Sequence, residues 1–133
     1  MQALKRLVKQ KKGQAMVELA LILPILLLLL FGCIEFGSIF GAYLMVNNLA
    51  RDGARYGVVG HTDAQITDLI INNKAWLDES KLEVDILPAY ASRQKGNALQ
   101  VTVNYEVELF TPGIVNMVPN PWPVAGECIM RME

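Results

Sequence analysis

The chain has 133 residues, enough for one modest domain, and its formal net charge is −1. Residues 1–13 hold five basic residues and no acidic one, whereas the rest of the chain holds seven basic and thirteen acidic residues. The first segment therefore carries +5 and the remainder −6. The acidic remainder has no basic patch to neutralise phosphates, so the composition excludes nucleic acid as an expected partner.

A basic leader, residues 1–13, precedes an apolar run long enough to cross a membrane. Residues 15–34 supply twenty residues if Glu18 is tolerated, and a membrane helix needs about 20 predominantly apolar residues. No second apolar run has that length, so the sequence predicts one span. Basic residues beside a span stay on the cytoplasmic side, which predicts a cytoplasmic N-terminus and an extracytoplasmic C-terminal domain.

One long helix is predicted over residues 14–59, apolar all round in the span and amphipathic beyond it. In its second half, small or apolar residues recur at three- and four-residue steps, at Ala42, Met45, Val46, Leu49, Gly53 and Tyr56. The opposite face carries Asn47, Asn48, Arg51, Asp52 and Arg55. This pattern is typical of a helix with one buried and one solvated face. A helix of this length projects well beyond the membrane.

Residues 60–133 are predicted to form a small extracytoplasmic domain. Thr62 or Asp63 begins a short second helix, and alternating residues predict strands at 82–86 and 99–109, with a further strand at 124–132. The fold class is therefore α+β, with a long N-terminal helix and a small antiparallel sheet packed on its amphipathic half. A domain of this size is marginal alone, and the helix supplies the missing core.

No catalytic chemistry is evident in the sequence. His61 is the single histidine and lies in a Gly/Thr/Asp turn, where a solvated loop residue is expected. The spacings of a metal site, a phosphate-binding glycine loop or a nucleophile elbow are absent. The sequence predicts a protein that is not an enzyme, with no cofactor and no metal.

Small residues recur at every fourth position of the helix near the outer end of the span. Cys33, Gly37 and Gly41 have the small-xxx-small spacing that permits close helix approach, and Gly53 and Gly57 extend it. Cys33 is expected to be a small apolar residue facing a neighbour. An intramolecular disulfide with Cys128 is not expected, because the two lie at different levels of the molecule.

Two glutamates interrupt the apolar sequence, and each needs an explanation. A charge at membrane depth costs about 2.5–3.5 kcal/mol even on a lenient scale. Glu18 either reaches the inner headgroups by snorkelling or is paired with a partner. Glu35, close to the outer interface, is either solvated or finds its partner within an assembly.

Three interpretations of the N-terminus are possible. A secretory signal fits poorly, because the apolar run is too long and helical pattern continues beyond it. A lipoprotein signal is suggested by "LFGC" at residues 30–33, although Phe31 is bulky where a small residue is usual. A prepilin-type leader accounts for the basic segment, for Gly13, and for a glutamate five residues after that glycine.

The segment "GQAMVELALILPILLLLLFGCIEFG", followed by "ARDGARYG" and a chain end "MRME", resembles the TadE-like minor pilins (pseudopilins) of the tight adherence pilus. The resemblance is strong over residues 11–60 and weak over 61–122. It implies a pilin-like fold and cleavage between Gly13 and Gln14 by a prepilin peptidase at the bacterial inner membrane. It also implies an assembly role for Glu18, and as partners the major pilin, other minor pilins and the pilus assembly platform.

Two rival functions remain open from the sequence. One is a single-span membrane protein whose outer domain binds a ligand or an envelope partner, without a filament and without processing. The other is a pseudopilin of a secretion system.

Overall fold

The computed structural model describes the backbone of residues 2–133 and the side chains of residues 13–133. In chain order its elements are helix α1 (Gln2–Val58), helix α2 (Asp63–Asn72), a 3-10 turn (Glu79–Lys81), strand β1 (Leu82–Leu87), a second 3-10 turn (Tyr90–Ser92), strand β2 (Ala98–Val107) and strand β3 (Trp122–Arg131). The predicted α+β class, with a long helix, a short helix and a small antiparallel sheet, is confirmed.

Helix α1 begins before Gly13 and ends one residue earlier than predicted. Its start at Gln2 is explained by the composition of residues 2–12, which consists mainly of good helix formers. One glycine costs only about 1 kcal/mol relative to alanine, so Gly13 does not stop a helix that continues on both sides. The end is set by Gly60, which has φ +101° and donates its N–H to the carbonyl of Gly57 at 3.1 Å.

Helix α2 begins at the predicted position because Thr62 forms a capping box. The backbone N–H of Gln65 donates to the hydroxyl of Thr62 at 3.4 Å, and the N–H of Thr62 donates to the side-chain oxygen of Gln65 at 3.0 Å. Ile66 and Ile70 are fully buried, so this helix closes one end of the core.

The three strands form an antiparallel meander in the order β1–β2–β3. In β2, every second residue is buried as the alternation predicts, namely Leu99, Val101, Val103, Tyr105 and Val107. Strand β3 begins at Trp122, two residues before the predicted strand, and pairs with the whole length of β2. The opposite face of the sheet carries mainly polar side chains, as expected for a sheet with one solvated face.

The sheet packs along the outer half of α1, and glycines allow the closest contacts. A methyl group placed on Gly53 would lie 3.3 Å from Val101, and one on Gly57 would collide with Leu99. On β3, a methyl on Gly126 would lie 2.5 Å from backbone atoms of α1. The strands therefore follow the helix, with the start of β2 near Gly57 and its end toward the membrane span.

A buried arginine fixes the far end of the domain, where the α1–α2 and β1–β2 connections meet. The guanidinium of Arg93 donates to the backbone carbonyls of His61 at 2.8 Å and Pro88 at 3.1 Å, and it pairs with the carboxylate of Asp63. The backbone N–H of Tyr90 donates to the second oxygen of Asp63 at 3.0 Å. These bonds join two loops that neither strand pairing nor helix packing holds together.

We expect Gly126→Ala to destabilise the domain by about 1–3 kcal/mol, the usual cost of overpacking. The added methyl would meet backbone of α1 at Val46 and Asn47, which has no rotamer by which to give way. The matched control is Gly37→Ala, because a methyl there meets nothing within 4 Å and improves helix propensity. Hydrogen exchange of the β2 amides in detergent measures both. Equal protection in the two variants would contradict the close approach of β3 to α1.

Candidate functional site

The inner half of α1 is an uncovered apolar surface. The most apolar stretch of the helix over Gly13–Val58 has a mean hydropathy of 2.8, and the rest of the protein buries none of it. By length and composition it can cross a membrane, which fits a single-pass membrane protein. An apolar surface this extensive marks an interaction with lipid or with other helices.

The predicted processing and assembly residues lie together at the start of this surface. Gly13, Gln14 and Glu18 are all exposed. Gln14 and Glu18 are four residues apart in a continuous helix, so their side chains lie on the same face, one turn apart. Within residues 13–133, no salt bridge involves Glu18. The predicted leader falls mostly on residues 1–12, whose side chains lie outside the described residues.

The predicted helix-packing residues divide into two groups. Cys33 and Gly37 are exposed, and a methyl on Gly37 would meet nothing within 4 Å. The fold therefore leaves these two small residues uncovered. Gly41 lies under the ring of Trp76, with 3.5 Å from a methyl position to the ring. Gly53 and Gly57 instead pack against the domain's own core. Of these small residues, the described fold therefore leaves Cys33 and Gly37 uncovered.

The surroundings of the Glu35 side chain differ from what the sequence indicated. Its side chain is buried, with 3% exposed, so the expectation that it is solvated is wrong. Its Oε1 accepts three hydrogen bonds, each 2.8 Å long, from the backbone N–H groups of Phe110 and Thr111 and from the Thr111 hydroxyl. The donors to Oε1 thus come from a loop of the same chain.

The other oxygen of Glu35 has no protein partner. Oε2 is buried and makes no hydrogen bond with the described residues. Hydrogen bonds to a carboxylate are about twice as strong as neutral ones, and three of them converge on one oxygen here. They secure the loop against the helix at the point where the apolar run ends.

The loop held by Glu35 joins β2 to β3 and spans residues 108–121. Its base is closed by Asn120, whose side-chain oxygen accepts from the N–H of Leu109 at 3.1 Å and whose amide donates to the carbonyl of Leu109 at 3.2 Å. Backbone bonds from Ile114 and Val115 to the carbonyl of Thr111 fold its tip into a turn. The loop is therefore a defined structure. Prolines at positions 112, 119 and 121 indicate a loop in the sequence, but nothing there indicates that this loop meets Glu35.

The single histidine is stacked on an aromatic ring, and the two cysteines are not joined by a disulfide. His61 stacks on Tyr56 with 3.6 Å between ring centroids, so it is packed rather than simply solvated. Both cysteines are free thiols, with Cys128 half-buried on β3. Within the described side chains, no group of three or more His, Cys, Asp or Glu residues is placed to hold a metal ion.

Replacing Glu35 should release the loop. Glu35→Leu removes the acceptor of three buried donors, and we expect a loss of about 2–4 kcal/mol from their lost hydrogen bonds. The amides of Phe110 and Thr111 should then lose protection from hydrogen exchange. The matched control is Glu106→Leu, which removes an exposed carboxylate from β2 and should leave both amides protected. Unchanged protection in Glu35→Leu would contradict the tether.

Comparison with known proteins gives one match. The model of the family described as TadE-like protein matches residues 13–55, a range that contains Gly13, Glu18, Glu35 and most of the face that carries the sheet. Neither the curated proteins nor the solved structures give a significant match to this chain. Over residues 13–55 the chain is therefore TadE-like, and the resemblance found in its sequence is confirmed.

Proposed function

We propose that this protein is a minor pilin, or pseudopilin, required to assemble a tight adherence pilus that serves surface attachment. It is held in the bacterial inner membrane by α1, with its N-terminus in the cytoplasm, and a prepilin peptidase cleaves it after Gly13. Its further partners are the major pilin, other minor pilins and the assembly platform. It performs no catalysis. The TadE-like match supports an association with this pilus machinery.

The contrast between the two glutamates of α1 carries the proposal. The cost of Glu35 is balanced inside the fold by three hydrogen bonds. Glu18 is exposed on an apolar helix and has no salt bridge within residues 13–133. A charge in that position calls for a partner from outside the chain. Its place five residues after Gly13 supports a partner created by cleavage.

Cleavage would supply that partner. It frees a positive α-amino group at Gln14, one helical turn from Glu18. When the helices of several subunits pack together, the carboxylate of one subunit neutralises the amine of its neighbour, and the low dielectric strengthens the attraction. The exposed small residues Cys33 and Gly37 allow the neighbouring helix to approach closely.

Gly13 also has a physical role in cleavage itself. Helix α1 runs through the bond between Gly13 and Gln14, so a peptidase must unwind the helix locally to reach it. Glycine is about 1 kcal/mol less favourable in a helix than alanine, which makes this the easiest point to open. The absence of a side chain also leaves room for the peptidase at the scissile bond.

The mature protein should lack residues 1–13. Intact-mass measurement of the membrane-extracted protein tests this, and a new N-terminus at Gln14 is expected. Gly13→Leu should leave an uncleaved precursor, because leucine is bulky and stabilises the helix. Gly37→Leu, at an exposed glycine far from the cleavage site, is the control and should be processed normally. A mature chain that begins at Met1, or at a lipid-modified Cys33, would refute the proposed processing.

Glu18→Gln should block assembly while leaving insertion and cleavage intact. Without the carboxylate, the amine of Gln14 is withdrawn from water unpaired, at a cost of about 3–5 kcal/mol. We expect normal amounts of processed protein that fails to crosslink with pilin partners and does not support piliation. Glu18→Asp should be intermediate, and Glu106→Gln, on the solvated sheet face, should assemble normally. Full piliation by the Glu18→Gln variant would mean that Glu18 only reaches the inner headgroups.

A further inference from the structure

The loop held by Glu35 lies at the depth of the membrane boundary. The side chain of Ile114, at the tip of the loop, approaches Gly32 of α1, with 3.9 Å between Cδ1 and a methyl position on that glycine. Gly32 belongs to the uncharged run that ends at Ile34. The tip of the loop therefore lies beside a residue of the predicted span, closer to the cytoplasmic end of α1 than Glu35.

The composition of the loop suits this position. From Leu109 to Gly126 the chain contains eighteen residues without a charge, between Glu108 and Glu127. Phe110 and Met117 point away from the protein, with 70% and 85% of their surface exposed. Single exposed apolar side chains are ordinary, but these two lie on an ordered loop beside an uncovered membrane helix.

Aromatic side chains from three separate elements gather at the same level. On α1, Phe36 and Phe40 stack with 6.3 Å between ring centroids, and both are exposed. Trp122 at the start of β3 lines a groove with them. Trp76 is aimed at Gly41 from the α2–β1 connection, next to Ala75, whose φ of +54° is unfavourable for a residue with a side chain. Aromatic residues of this kind collect where a membrane meets water.

We propose that the β2–β3 loop is a second membrane contact, which inserts Phe110, Ile114 and Met117 into the outer leaflet of the lipid bilayer that α1 crosses. The occupant of this surface is lipid, because the loop is continuous with the apolar surface of the span and carries no charge from Leu109 onward. Glu35 is the positioning residue: its three hydrogen bonds fix the loop at that depth. This inference depends on residues 15–34 spanning a membrane and does not depend on pilus assembly.

Contact with the membrane through both α1 and the loop would constrain the orientation of the whole domain. A single helix leaves the outer domain free to tilt and rotate about the span. An inserted loop beside the helix gives the domain a second fixed point, and so defines which face of the sheet turns toward the membrane and toward neighbouring subunits. The far end of the domain stays in water. The start of β2 packs at Gly57, which is about 37 Å along the helix from Gly32 at 1.5 Å per residue.

Depth-dependent fluorescence quenching tests the proposal on the full chain in phosphatidylcholine vesicles. In a Cys33→Ala, Cys128→Ala background, Met117→Cys is labelled with bimane, and lipids brominated near the carbonyl end of their acyl chains serve as quenchers. Met117 is exposed, so its replacement should not unfold the domain. Lys95→Cys, exposed in the β1–β2 connection at the far end, is the water control. Phe31→Cys, exposed in the outer part of the span, is the lipid control at the depth of the bromines.

We expect the Met117 label to emit at shorter wavelength than the Lys95 label and to be quenched by the brominated lipids several-fold more strongly. A Met117 label that behaves like the Lys95 label overturns the proposal. So does a label that is shielded from water but insensitive to brominated lipid, because protein would then cover the loop. An unquenched Phe31 label would show that residues 15–34 do not span the membrane, and would overturn both this inference and the proposed membrane anchoring.

Discussion

The buried face of α1 between Ala42 and Gly57 is the constraint on which the other elements depend. Three strands and a ten-residue helix bury little apolar surface among themselves and would be marginally stable alone. They pack instead against a helix that is already held straight by its own backbone hydrogen bonds. Side chains of β2 and α2 reach the helix closely at Gly53 and Gly57, and the backbone of β3 reaches it at Gly126.

This arrangement gives α1 two environments along one continuous element. Its outer half has one face in a protein core and one in water, whereas its inner half is apolar on all sides and uncovered. A carboxylate that is buried at the boundary between them is removed from bulk water and needs hydrogen-bond donors from the protein. Glu35 lies at this boundary, and the loop from the sheet supplies the donors that the helix backbone, already bonded to itself, cannot offer.

Glu18 and Glu35 show how the same residue type can serve two purposes in one helix. Both would be costly at membrane depth, but the cost is met in different places. For Glu35 the hydrogen-bond donors come from the same chain, so the residue contributes to the fold. For Glu18 the structure offers no ion pair within residues 13–133, which leaves this carboxylate available to a neighbouring subunit.

The sequence by itself determined the features that depend on local pattern. The length of the apolar run predicts the span. The recurrence of small and apolar residues at three- and four-residue steps predicts the buried face of α1, and strict alternation predicts the inward face of β2. Each prediction follows from the geometry of one element. The capping residues near Thr62 likewise located the start of α2. The resemblance over the first sixty residues was visible for the same reason, since its motifs are contiguous.

Only the tertiary structure decided which distant residues meet. Glu35 and Thr111 are separated by 76 positions, and Arg93 contacts a carbonyl 32 positions away. Nothing in the local sequence around any of them indicates its partner. Gly126 lies within a strand, and its need to be glycine arises from the backbone of α1 opposite it. Long-range contacts depend on how helix, sheet and loops are placed together, and a hydrophobic pattern fixes which face of an element is buried without fixing what covers it.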